Sequence, residues 1–177
     1  QAWGRVRDPE TGLVPRSRNE ILWRPRDNAA DCLPFLLLAG HYFDTNAERR
    51  WIETLASEAR ITGPLPDSAA FSPLVMRNEP RSERVFGGAE YAKDGLLAVA
   101  ERLGPGPWLD RMTEIVDAIV DSADVQTPFG PIAARDSEVN GDLLQVLPRL
   151  YWLTRDEKYL AFAERTAEAY LFEILPK

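Results

Sequence analysis

The hydrophobic pattern of this chain alternates three times between two kinds of helical segment. A segment that is apolar on every side, such as residues 32–39, is typical of a helix enclosed by other helices. Each such segment is followed by a turn and by a stretch with apolar residues every three or four positions, which predicts a helix with one face in solvent. We therefore expect an all-α domain of three stacked helical hairpins, at about residues 24–60, 88–123 and 136–176.

The same acidic motif introduces each apolar segment. It consists of an acid, three residues, an aspartate, any residue and a leucine, and its copies are Asp27…Asp31-Cys32-Leu33, Glu90…Asp94-Gly95-Leu96 and Glu138…Asp142-Leu143-Leu144. A pattern that recurs in this way indicates one supersecondary unit used three times.

Proline positions suggest where the first hairpin begins. We expect its inner helix to start near Asp31, because Pro34 would then lie in the first turn, where its missing N–H is no loss. Asp27 and Asn28 would then be loop residues. Aspartate at a helix start is a common N-cap, so capping is the preferred interpretation of the second acid in each motif. The first acid of each motif, one turn earlier, is less easily explained as a cap.

Composition excludes several classes of function. The chain has 177 residues, enough to bury a substantial core, and a net charge of −7 without a lysine- or arginine-rich run, which argues against nucleic-acid binding. Its single cysteine and single histidine exclude a Cys/His zinc site and a His-based triad within the chain. The longest apolar stretch is shorter than a membrane span. No metal or cofactor is expected, and cytoplasmic and periplasmic or secreted locations both fit.

Three enclosed helices, each paired with an amphipathic one, resemble the six-hairpin (α/α)6 toroids of the glycosidase-like superfamily. That superfamily includes unsaturated glucuronyl hydrolases, related uronidases and the toroid domains of polysaccharide lyases. The closing segment Asp156-Glu157-Lys158-Tyr159-Leu160 has the look of an outer helix in those proteins. Three hairpins would form half of such a ring, so we expect a segment of a larger toroid or a self-association partner, because stacked repeats expose apolar surface where they stop.

The resemblance implies a substrate groove at the rim where parallel inner helices begin. The Pro- and Gly-rich loops at 61–88 and 125–137 would emerge at this rim. Glycoside hydrolysis needs two carboxyl groups, one protonated and one ionised. The candidate catalytic acids are Asp27, Glu90, Asp94, Glu138 and Asp142. The candidate substrate-binding residues are Trp23, Arg24, Arg26, Asn28, Lys93, Arg135 and Asn140.

Structural roles compete with each of these assignments. The cations could simply neutralise the neighbouring acids, and the aromatic rings could pack in the core. The leading hypothesis is a glycoside hydrolase acting on uronic-acid-containing glycans, with an acidic oligosaccharide or polysaccharide as its partner. The alternatives are a polysaccharide lyase toroid, which normally uses Tyr, His or Arg as its base, and a helical-repeat scaffold or glycan-binding module without catalysis.

Overall fold

The computed structural model describes residues 5–17, 19–71 and 73–175. The chain is 66% helix and 5% strand, which confirms the predicted all-α class. The α-helices are α1 (Ala30–Phe43), α2 (Thr45–Thr62), α3 (Arg81–Glu90), α4 (Leu97–Leu103), α5 (Pro107–Asp121), α6 (Ser137–Thr154) and α7 (Glu157–Ala169).

Three π-helical segments extend or join these helices. The N-terminal π-segment (Pro25–Ala29) leads directly into α1, and the central π-segment (Tyr91–Leu96) joins α3 to α4. A third (Tyr170–Ile174) continues α7. The central helical run therefore extends without a break from α3 to the end of α4.

The helices pack in two layers. The inner row places the central run between α1 and α6: α1 contacts the central π-segment and α4, while α3 contacts α6 and the N-terminal π-segment. The outer helices pack against them, α2 on α1, α5 on α3 and α4, and α7 on α6. The core between the layers consists of side chains such as Leu37, Leu55, Ile115, Ile119 and Leu143.

A small antiparallel sheet, in the order β1–β2–β3, connects the chain before the helices to the segment between α2 and α3. Its strands are β1 (Leu22–Trp23), β2 (Ala69–Ala70) and β3 (Val75–Met76). Trp23 is paired with Ala69, which in turn is paired with Met76. Trp23 is 3% exposed, so the sheet fixes a large ring in the core.

The first inner helix begins earlier than predicted. Helical structure starts at Pro25, so Asp27 and Asn28 lie in the N-terminal π-segment instead of a loop, and Pro34 lies inside α1. The buried Asn28 side chain holds this turn: its Oδ1 accepts from the Arg24 N–H at 2.8 Å and its Nδ2 donates to the Val14 carbonyl at 3.0 Å. The contact with Val14 favours a helical start at Pro25, although Pro34 by itself favours a start near Asp31.

The second inner helix also begins earlier than predicted, because Gly87 and Gly88 are helical instead of belonging to a loop. Both glycines permit close approach of neighbouring chain. A Cβ at Gly87 would lie 2.7 Å from Pro25 Cγ, and one at Gly88 would lie 3.2 Å from Ile115 Cγ2. As a result, Glu90 and Asp94 lie in the middle of the central run and not at a helix start.

The interpretation of the motif aspartates as N-caps is wrong. The aspartates whose side chains accept N-cap hydrogen bonds are Asp44, Asp136 and Asp156. Asp136 accepts from the backbone N–H groups of Glu138 at 2.8 Å and Val139 at 3.2 Å. Asp31, Asp94 and Asp142 each follow at least one complete helical turn, where backbone N–H groups already have helical partners.

A buried ion pair joins three elements of the fold. Arg111 of α5 donates to Glu58 of α2 through two bonds, Nη2 to Oε1 at 2.7 Å and Nε to Oε2 at 3.1 Å, and Tyr91 donates to Glu58 Oε2 at 3.3 Å. Glu58 is 1% exposed and Arg111 is 3% exposed, although their helical periodicity predicts both on solvent-facing surfaces. Burial alone would lower the pKa of Arg111, but Glu58 reverses this effect and raises that pKa.

Large aromatic side chains are exposed on both flanks of the inner row. Phe35, Tyr42 and Phe43 on α1 are 71%, 59% and 88% exposed, at positions i, i+7 and i+8 of one helical face. On α6, Trp152 is 66% exposed. These residues lie on the first and third inner helices, where stacked hairpins would meet another repeat.

We predict that Arg111→Met destabilises the fold strongly, because it leaves the Glu58 carboxylate buried without its cation, a loss of about 3–5 kcal/mol. Urea unfolding would measure the change. The double variant Glu58→Leu/Arg111→Met should recover much of this loss. The control is Arg149→Met, which breaks a half-exposed pair with Glu101 and should lose less than about 1 kcal/mol. Equal losses in the two single variants would contradict the stabilising role of the buried pair.

We also predict that Asp136→Ala lowers the free energy of unfolding by about 1 kcal/mol, because α6 loses its N-cap. For a chain of this size, that corresponds to a fall of roughly 2–4 °C in Tm, measurable by thermal denaturation. Asp136→Asn should retain the cap and most of the stability. If Asp31→Ala lowered the Tm as much as Asp136→Ala, the cap assignment would be wrong.

Candidate functional site

Acidic side chains converge where α3, the central π-segment and the beginning of α6 pack together. The acids are Glu90, the last residue of α3, Asp94 of the central π-segment, and Glu138 and Asp142 of α6. The mutual effects of these four carboxyl groups appear in the pKa of Glu90. The structure therefore brings together four of the five acids that the sequence nominated, and we call them the acid cluster.

Glu90 is the most perturbed carboxyl group of the acid cluster. Its side chain is half-buried, and burial together with the charges of Asp142, Glu138 and Asp94 raises its pKa to about 7. The charge of Arg26 lowers the pKa of Glu90. A carboxylic acid with this pKa holds its proton near neutral pH, as a general acid must.

Lys93 forms ion pairs with two members of the acid cluster, Asp142 and Asp94. Lys93 Nζ lies 3.4 Å from Asp142 Oδ1 and 3.0 Å from Asp94 Oδ1. Burial raises the pKa of Asp142 even though Lys93 lowers it. The hydrogen bond to Asp94 and the charge of Asp142 raise the pKa of Lys93. Lys93 is thus engaged with the acids, as the structural alternative for this cation anticipated.

A cleft of about 680 Å³ adjoins the acid cluster. It is lined by the beginning of α3 and by residues 133–136, 138 and 139. The charged residues of the lining are three arginines, Arg26, Arg81 and Arg135, and four acids, Glu83, Asp124, Asp136 and Glu138. Arg81 donates to Asp124 Oδ1 at 3.0 Å and to the Ala133 carbonyl at 3.3 Å, while Arg26 lies 3.7 Å from Glu83. Glu138 belongs to both the cleft and the acid cluster, so the two regions are continuous.

Asp27 lies apart from the acid cluster. Its carboxylate is 3.7 Å from the guanidinium groups of both Arg16 and Arg24, and it is not among the largest influences on the pKa of Glu90. The predicted roles of Asp27 in catalysis and of Arg24 in substrate binding are therefore not supported by their positions. The first copy of the motif differs because the N-terminal π-segment turns Asp27 toward the chain that precedes the helices.

Three of the predicted substrate-binding residues are buried and have structural partners. Trp23 packs edge-on against Tyr91, with the ring centroids 6.5 Å apart. Asn28, 3% exposed, binds backbone groups at Arg24 and Val14. Asn140, fully buried, donates from Nδ2 to the carbonyls of Ala134 at 2.7 Å and Asp136 at 2.9 Å. These contacts give all three residues structural roles, which agrees with the structural alternative to substrate binding.

Sequence reasoning missed Arg81, which lines the cleft together with Arg135. It was missed because residues 61–88 were interpreted as one loop. The signal that could have identified it is Pro80, which precedes Arg81 at the start of a helix. An arginine in the first turn is unfavourable to the helix dipole, so its presence there indicates another role.

We predict that Glu90→Gln stabilises the fold at alkaline pH. Between the ordinary value of 4.5 and about 7, the folded chain keeps a proton on Glu90 that the unfolded chain has lost, so this residue lowers the free energy of unfolding as the pH rises. Glutamine carries no charge at any pH, so the variant does not lose stability in this way. Allowing for solvent screening, the gain at pH 8 is on the order of 1 kcal/mol.

Urea unfolding of both proteins at pH 5 and pH 8 measures this effect. The gain should be present at pH 8 and almost absent at pH 5. The control is Glu168→Gln, at an exposed glutamate of α7, which should change stability little at either pH. An equal gain at both pH values would show that charge in the acid cluster is not its cause.

Comparison with family models, with curated proteins and with solved structures found no match to this chain. Within residues 5–17, 19–71 and 73–175, no helix is long and apolar enough to cross a membrane. In the same residues, no three or more His, Cys, Asp or Glu side chains are grouped so that they could hold a metal ion. The arrangement at the junction of α3 and α6 is therefore interpreted from its own chemistry.

Proposed function

We propose that this chain carries the acid–base site of a glycoside hydrolase that acts on uronic-acid-containing glycans. The observation that carries the proposal is the convergence of Glu90, Asp142 and Glu138 beside an arginine-lined cleft. The resemblance of the hairpin pattern to glycosidase-like toroids supports the same class of reaction. Function depends on this site and not on the helical fold, since one fold hosts many activities.

The proposed reaction uses carboxyl groups in opposite protonation states. Glu90, with a pKa near 7, donates its proton to the glycosidic oxygen as the bond from that oxygen to the anomeric carbon breaks. One water molecule supplies the oxygen that bonds to the anomeric carbon, and its proton passes to an ionised carboxylate, Asp142 or Glu138. Exchange of protons with solvent then returns both groups to their starting states.

The cleft favours an acidic sugar as the substrate. Guanidinium groups bind carboxylates through paired N–H donors. Arg26 and Arg81 pair with Glu83 and Asp124, whereas Arg135 lines the cleft without an ion pair among the described residues, so Arg135 is the first candidate to bind a uronate carboxylate. Its volume lies within the range of about 300–1,000 Å³ that is typical of small-ligand sites. A uronic acid bound here would lie next to Glu138, at the edge of the acid cluster.

The position of Tyr91 argues against this tyrosine as the base of the lyase alternative. A lyase needs a base that removes the proton α to the uronate carboxyl. Tyr91, the tyrosine next to Glu90, is fully buried and donates to Glu58. Burial and the charge of Glu58 raise the pKa of Tyr91, which makes this hydroxyl a poor source of the required phenolate.

We propose in addition that further helices cover the exposed flank of α1, either from the rest of a longer chain or from a second copy. The exposed rings of Phe35, Tyr42 and Phe43 form an apolar helix face of the kind that an adjacent hairpin buries. Such a neighbour would complete the inner row on the side away from α6.

We predict that Glu90→Gln, Asp142→Asn and Glu138→Gln each reduce turnover of uronide-containing oligosaccharides, because each removes a member of the acid cluster. Loss of one acid or base group typically reduces the rate by a factor of about 10² to 10⁴. The matched control is Asp27→Asn, which changes an acid of the same motif outside the acid cluster and should keep most of the activity. Release of reducing ends would be measured with acidic and neutral oligosaccharides.

The same assay separates the alternatives. Cleavage that produces a new ultraviolet-absorbing double bond would identify a lyase, and binding without cleavage would identify a glycan-binding module. Turnover at the wild-type rate in all three cluster variants would remove these acids from the mechanism.

A further inference from the structure

The contacts of Lys93 differ from those expected of a substrate-binding cation. Its ammonium group lies 3.0 Å from Asp94 Oδ1, 3.2 Å from Asp94 Oδ2 and 3.4 Å from Asp142 Oδ1. The side chain is 28% exposed, so solvent screens these contacts only in part. Lys93 thus joins an acid of its own π-segment to an acid of α6.

Asp142 has an incompletely satisfied carboxylate. Its side chain is 7% exposed, and Oδ1 faces Lys93. Oδ2 is buried and has no hydrogen-bond partner in the part of the chain that the structure describes. A buried acceptor without a donor is costly, so the ionised form of Asp142 depends on the contact of Oδ1 with Lys93.

Lys93 forms ion pairs with only two of the four acids of the acid cluster. The charged groups with the largest effects on Glu90 are Asp142 and Glu138 from α6, Asp94 from the central π-segment and Arg26 from the N-terminal π-segment. Lys93 forms ion pairs with Asp94 and Asp142, whereas no ion pair of Glu90 occurs among the described residues. Glu138 also has no ion pair among the described residues, but it is exposed, whereas Glu90 is half-buried. A proton therefore resides most readily on Glu90, which is both partly desolvated and without a cation.

We propose that Lys93 is a positioning residue that keeps Asp142 ionised and leaves Glu90 as the group that carries the proton. This inference rests on the proposed function and deepens it by assigning donor and acceptor within the same acid cluster. The central π-segment supplies the geometry, since Lys93 and Asp94 lie within it. A π-helical segment inside a helix is frequently found at functional sites.

The first test is a carboxyl titration of the full chain, labelled with ¹³C and followed by NMR, in wild type, Lys93→Met and Lys93→Arg. Asp142→Asn identifies the Asp142 resonance. We expect the Asp142 midpoint to rise by about one pH unit in Lys93→Met, because its nearest cation is lost, and to stay close to wild type in Lys93→Arg. An unchanged midpoint in Lys93→Met would overturn the proposal. If Lys93→Met does not fold, Lys93→Gln replaces it.

The second test separates positioning from substrate binding. For an acidic oligosaccharide, we expect kcat of Lys93→Met to fall about 10- to 100-fold with KM nearly unchanged, and the acidic limb of the kcat/KM profile to move to higher pH. Lys93→Arg should restore most of kcat. A rise in KM for acidic sugars alone, with kcat and the pH profile unchanged, would overturn the inference.

The two tests also distinguish this inference from the proposed function. If the Asp142 midpoint moves as expected but wild type cleaves no glycan, hydrolysis is refuted while the placement of charge by Lys93 stands. If wild type cleaves glycans but the midpoint does not move, the hydrolase stands and the role of Lys93 is refuted.

Discussion

The buried pair of Glu58 and Arg111 is the contact on which the arrangement of the site depends. It joins α2 to α5 and receives the hydroxyl of Tyr91, the first residue of the central π-segment. Glu90 directly precedes Tyr91, and Lys93 and Asp94 follow it within the same segment. Because a buried charge tolerates little displacement from its partner, the pair holds the backbone that presents these three side chains.

The buried Glu58–Arg111 pair makes it possible for the fold to hold like charges near one another. Four carboxyl groups, of which only Asp94 and Asp142 form ion pairs with Lys93, would separate if their backbone were free to move. Here the packing of α3 against α6 keeps them together, and burial, with the neighbouring acids, raises the pKa values of Glu90 and Asp142. Strongly shifted carboxyl groups beside a cleft are typical of functional sites, where stability is given up for chemistry.

Gly87 and Gly88 of the central run also help to assemble the site. Gly87 and Gly88 allow α3 to approach the N-terminal π-segment and α5 closely, and a side chain at Gly87 would collide with Pro25. This close approach places Arg26 near enough to Glu90 to influence its pKa, and within the same cleft as Arg81 and Arg135. The cations of the cleft and the acids of the cluster thus come from segments far apart in the chain.

Periodicity in the sequence was sufficient to predict the all-α class and the apolar faces of the helices, because a 3.6-residue pattern is a property of one helix by itself. The repeated motif also nominated Glu90, Asp94, Glu138 and Asp142, which the tertiary structure brings together. Tertiary packing alone decided that Asp27 lies elsewhere, that Glu58 and Arg111 are buried, and that Lys93 contacts acids. Burial and charge at these positions depend on neighbouring helices, whose register no local pattern specifies.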